Sequence, residues 1–200
     1  MIRTILAASA FSMLLTACGT YQQVAEIDAS TGLLPTEVQA TTVNSKTFDM
    51  DSRKDLLVFV GDNDFVINQV SELDYFEEVL SGEALEAAIV RADLTDKVPT
   101  VDGLIGLNNA AKHYKPFVYL DFDSRQEGAN GYLQLVLTDA QSMDELFRAE
   151  RYLDTIWEGV NDRNTFYPLF NALISYISDN SETYGVQAAA VADETAEPTD

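Results

Sequence analysis

Apolar residues recur along this chain in three spacings, and each spacing predicts a different element. Leu56-Leu57-Val58-Phe59-Val60 is an unbroken apolar run closed by Gly61, the pattern of a central strand. From Asp64 onward, Ile67, Val70, Leu73, Phe76 and Leu80 recur at three or four residues. That periodicity predicts a helix capped by Asp64 and running to about Leu80. Ser81-Gly82 breaks it and can cap a second helix, with Leu85, Ala88, Ile89 and Ala92 inward. Pro99 precedes a third helical pattern made by Leu104, Leu107, Ala111 and Tyr114, and Pro116 ends it.

Strict alternation then takes over. Val118, Leu120 and Phe122 share one strand face, and Leu133, Leu135 and Leu137 repeat the pattern after a turn signal at Gly128 to Gly131. The pair predicts an antiparallel hairpin. Residues 143–157 fit either period. As a helix they offer Leu146, Ala149, Leu153 and Ile156; as a strand, Phe147, Ala149, Leu153 and Trp157. A strand extending the sheet is preferred. A polar stretch at residues 161–165 leads into a last helix with Phe166, Leu169, Phe170, Leu173 and Ile177 inward, and Pro168 is tolerated in its first turn.

A strand, then helices, then antiparallel strands, then a helix is an α+β order: one small, mostly antiparallel sheet with helices packed on it. The single domain is expected over residues 48–185. Residues 19–47 are rich in Thr, Gln, Ala and Ser, with Gly32 and Pro35 as breakers. They read as a flexible tether with room for a strand at 37–43. Residues 186–200 are mostly Ala, Asp, Glu, Thr and Pro, too poor in apolar surface to offset the entropy of ordering, so a disordered acidic tail is expected.

The amino terminus has its own grammar. Arg3 precedes an apolar run from Ile5 to Leu15, and Leu15-Thr16-Ala17-Cys18 ends it with the only cysteine. The run has the length of a signal-peptide core and is too short to span a bilayer. A lone cysteine forms no intrachain disulfide. This segment resembles the lipobox of bacterial lipoproteins. The resemblance implies that residues 1–17 are a signal peptide cleaved before Cys18, and that Cys18 carries a diacylglyceryl thioether and an acylated amino group. Three acyl chains suffice for stable anchoring. Gly19 after the cysteine, where inner-membrane lipoproteins tend to carry Asp, favours the outer membrane and a domain facing the periplasm. The order of elements is also similar to that of the periplasmic domains of curli-secretion lipoproteins and of lipoproteins that activate penicillin-binding proteins.

Charge narrows the partners. The chain carries a formal charge of −21, and loss of Arg3 with residues 1–17 makes it −22. So acidic a domain repels phosphate backbones, which argues against nucleic acid. An anionic membrane surface repels it too, so the lipid must hold it in place.

Few residues suggest chemistry. Gly61-Asp62-Asn63-Asp64 sits where a strand meets a helix, where carboxylates can hold a cation or simply form a turn and cap. Asp121 and Asp123 share a strand face, with Asp139 expected near them across the hairpin, and carboxylate pairs are what glycosidases need. His113, the single histidine, falls at a helix end where the dipole favours it. There is no Gly-x-Ser-x-Gly, phosphate loop or dinucleotide fingerprint, and no cofactor is implied. The densest polar–aromatic patch is Asn161-Asp162-Arg163-Asn164 with Trp157 and Tyr167. These six are the candidate binding residues. The expected function is a non-enzymatic accessory or assembly domain that binds another envelope protein. The alternatives are a carboxylate-based hydrolase and a small-molecule or cation-binding module.

Overall fold

A computed structural model describes residues 23–153 and 161–184. Its six strands form one sheet in the order β1-β6-β5-β4-β2-β3. They are β1 (Thr41–Ser45), β2 (Leu57–Phe59), β3 (Val79–Ser81), β4 (Val118–Glu127), β5 (Asn130–Asp139) and β6 (Glu145–Leu153). The helices are α1 (Asp64–Ser71), α2 (Gly82–Arg91), α3 (Gly103–His113) and α4 (Tyr167–Asn180). The fold is α+β as expected, but the sheet is mixed, because β2 runs parallel to both β3 and β4.

This parallel corner explains where the helices lie. The chain steps from β2 out to β3 through α1, then back across β2 to β4 through α2 and α3. Both crossovers must be right-handed, so the two steps in opposite directions place their helices on opposite faces. On one face α1 and α4 bury Val66, Val70, Leu169, Phe170 and Leu173 against Leu57, Phe59, Leu120, Leu135 and Phe147. On the other, α2 and α3 bury Leu85, Ile89, Leu107 and Ala110 against Leu56, Val58, Phe117 and Tyr119. The unbroken apolar run of β2 follows from cover on both sides.

Several boundaries differ from the sequence reading. The first helix is capped by Asn63, whose side chain accepts from the Phe65 amide, and it ends at Ser71. Asp74 takes a left-handed φ of 50°, which stops the helix. Leu73 and Phe76 are still buried, but from a turn, and Leu80 belongs to β3. Ala92 is exposed just past the end of α2. Leu104 is exposed as well, and Gly106, Leu107, Ala110 and Ala111 form the inward side of α3. Gly106 lets the helix approach the preceding loop: a Cβ there would lie 2.7 Å from the Val101 carbonyl carbon. Gly106→Ala should cost about 1–3 kcal/mol by overpacking against backbone, measurable by urea denaturation.

The hairpin and the strand after it are as read. β4 and β5 pair from Val118↔Asp139 to Glu127↔Asn130, and Gly128 makes the turn at φ 62°. Residues 145–153 are a strand, with Phe147 and Ala149 facing the core. Phe147 stacks on Tyr176 of α4 at 4.8 Å.

The largest correction concerns the tether. From Gln23 onward the chain is docked. Gln69, fully buried in α1, bonds both backbone groups of Ala25 at 2.9 Å. Asn171 of α4 does the same for Leu34, at 2.7 and 3.0 Å. Leu34 is buried in the core, with Ala25, Ile27, Leu33 and Ala40 packed beside it. Thr41 to Ser45 then adds β1 to the edge of the sheet. The domain therefore includes residues 23–47, because side-chain amides supply the arm with the partners a strand would otherwise give. The expected signal peptide, Cys18, the whole of the expected acidic tail (residues 186–200) and Trp157 lie outside the described residues.

Candidate functional site

The polar patch is built on a single π-helical turn, Asp162–Phe166, at the entrance to α4. Asn161 caps it, its side chain accepting from the Asn164 amide at 2.9 Å. Pro168 follows in the first turn of α4, where its missing N–H costs nothing. Thr165 and Tyr167 are buried, whereas Arg163 is exposed.

Asp162 is only 6% exposed. One carboxylate oxygen, Oδ2, accepts from the Gln23 amide at 2.7 Å. The other, Oδ1, is buried and has no hydrogen-bond partner among the described residues. Arg163 forms no ion pair with it among the described residues. The Tyr167 hydroxyl donates to the Gln23 carbonyl at 2.7 Å. Burial, then the neighbouring Asp162 charge, push the Tyr167 phenol above its ordinary range, so it stays a donor at neutral pH.

A cavity of about 340 Å³ opens at this corner. Four of the six candidate binding residues line it: Asn161, Asp162, Arg163 and Tyr167. Asn164 does not; its carbonyl accepts from Arg151 Nε at 2.8 Å. The opposite wall is Gln23, Val24, Ala25 and Pro35, all from the supposed tether and all missed by the sequence reading. Their only signal there was a scatter of apolar residues, Val24, Ile27, Leu33 and Leu34, without a period. The Thr36 hydroxyl closes the corner by donating to the Arg163 carbonyl at 2.6 Å.

The acidic constellations are dispersed. Asp139 pairs across from Val118, while Asp121 lies opposite Val136, further along the hairpin. Asp139 is instead buried with Arg53, whose Nε donates to it at 2.7 Å. Asp123 is exposed and paired with Arg148 at 3.4 Å. Asp121 is half-buried; desolvation raises its carboxyl, which accepts from the Phe122 amide. Asp62 is exposed beside the Asn63 cap, and His113 is exposed at the end of α3. Among the described residues no three metal-ligating side chains gather.

Asp121 and Asp123 belong to an uncovered part of the sheet. There Arg125 grips Glu150 through Nε and Nη2 at 3.0 and 2.8 Å and lies 4.1 Å over the Tyr132 ring. Gln134 bridges Glu150 and Arg148. These charges satisfy one another, which leaves little to drive binding.

No family model matches this chain, and no curated protein does either. It is similar to two solved structures. One is the LpoB C-terminal domain from Salmonella enterica, at a TM-score of 0.33 and 12% identity, covering 50% of this chain and 83% of that one. The other is the LpoB C-terminal domain from Escherichia coli, at a TM-score of 0.30 and 12% identity, covering 60% and 87%. Both scores fall short of a common fold over the whole chain.

Proposed function

We propose that this protein is a lipid-anchored accessory domain of the bacterial cell envelope that binds another envelope protein at the Asp162 corner. The observation that carries the reading is the buried Oδ1 of Asp162, which has no hydrogen-bond partner among the described residues and lies beside a cavity. A buried carboxylate oxygen without a donor costs free energy that a partner can recover. The lipobox resemblance supports attachment through Cys18, and Gly19 supports the outer membrane with the domain in the periplasm. Among the described residues no helix is long and apolar enough to cross a membrane. A non-enzymatic role is supported by the separation of the carboxylates: Asp139 is held by Arg53 and Asp123 by Arg148.

In-cell crosslinking tests the reading. Asp162→Asn, which keeps an acceptor for the Gln23 amide, should weaken capture of the partner. Loss of cellular activity in Asp121→Asn at unchanged abundance, with Asp162→Asn silent, would transfer the reading to a hydrolase. Cys18→Ala should leave an uncut, unlipidated precursor, and mass spectrometry of the amino terminus checks it.

A further inference from the structure

We infer that the docked arm sets the working height of the Asp162 corner, and that the corner receives a lysine or arginine side chain from the juxtamembrane segment of a protein in the same membrane. The inference rests on lipidation of Cys18 and deepens the binding reading above.

The height follows from chain length. Gln23 is pinned at both backbone groups, by Asp162 and by Tyr167. Only five virtual bonds separate it from Cys18, so its Cα lies at most about 18 Å from that of the lipidated residue. A tether free up to residue 40 would reach about 80 Å instead. Gln23 also lines the cavity. The lipid attachment and the cavity wall are therefore joined by a short leash, and whatever enters does so near the bilayer surface.

The occupant follows from chemistry. Asp162 Oδ1 calls for a donor, and an ionised one gives the strongest bond. Val24, Ala25 and Pro35 form a wall against which the methylene stem of Lys or Arg can lie. The chain's charge of −21 attracts basic segments. A lipid ammonium headgroup brings its own phosphate, which that charge repels; a basic side chain brings none.

The test uses the full-length lipidated protein in phosphatidylcholine vesicles, with a photoreactive residue in place of Val24. The probe is a synthetic leucine-rich membrane-spanning peptide flanked by lysines. Crosslinking is expected with this peptide and not with a glutamate-flanked one. Asp162→Asn, which keeps an acceptor for Gln23, should reduce it about tenfold or more. Asp123→Asn, which removes the same charge from a remote exposed site, should leave it unchanged. Pro35→Trp plugs the mouth without touching the carboxylate and should also abolish it. A Gly/Ser spacer of about 20 residues between Gly19 and Thr20 leaves the arm intact and should lower crosslinking several-fold by diluting the corner relative to the peptide. Equal crosslinking in Asp162→Asn and Pro35→Trp would overturn the occupant, and no effect of the spacer would overturn the height. In a second set of peptide-free vesicles that include phosphatidylethanolamine, adducts to that lipid would replace the protein segment with a headgroup. Retention on vesicles of a chain that starts at Gly19, without Cys18 or the apolar run before it, would instead refute the lipid anchor itself.

Discussion

Arg53→Ala should cost about 3–5 kcal/mol, the penalty for stranding a buried charge. Asp139 is 2% exposed, and its Oδ1 faces the Arg53 guanidinium while Oδ2 accepts from the Ser142 amide. Burial pushes the Asp139 carboxyl up, but Arg53 and Ser142 outweigh it and hold it below the ordinary range. A carboxylate depressed in the folded state stabilises above its unfolded pKa and loses that contribution as pH falls through its folded pKa. The wild-type pair should therefore weaken only on acidification below about pH 4. Without Arg53 only Ser142 opposes the burial: the folded pKa rises from its wild-type position, and acidification should take less stability from the variant than from the wild type. Urea denaturation of both proteins at several pH values measures this. Arg53→Ala combined with Asp139→Asn should lose less than Arg53→Ala alone; an additive pair would show that the two residues do not depend on each other.

Gln69→Ala should cost about 2–4 kcal/mol, from a lost buried amide and two unpaired backbone groups. Gln69 is fully buried and holds Ala25 at both its N–H and its C=O. Hydrogen exchange gives the sharper readout. The Ala25 and Leu34 amides, which donate to Gln69 and Asn171, should be protected in the wild type. Gln69→Ala should release Ala25, while amides of the β4–β5 hairpin stay slow. Exchange of residues 23–34 at the rate of a free chain in the wild type would restore the flexible tether.

What was legible in the sequence was what repeats locally. The inward residues of α4, Leu169, Phe170, Leu173 and Ile177, sit at helical spacing and are all buried. The alternation of β4 and β5 predicts their register to the core. The arm was hidden for a physical reason: its order comes from Gln69 and Asn171, which lie 44 and 137 residues away from what they hold. A string of Thr, Gln and Ala has no period that announces a distant amide. The end of α1 was hidden similarly, since Leu73 and Phe76 keep helical spacing while being buried from a turn. At the candidate site, residue types at 161–167 marked the corner. They could not show that Asp162 is buried, because its cover comes from Gln23 and the chain around it.

The sheet joins its first strand to its last. Thr41 pairs with Glu150, more than a hundred residues later. A chain that emerges amino terminus first has no neighbour for β1 until β6 has followed it out, so the sheet cannot be completed piecemeal. Contacts of such long separation slow folding, because the loop must be closed before the pairing rewards it. If the chain is exported as proposed above, late closure is an advantage: it would stay unfolded in transit and assemble only on arrival.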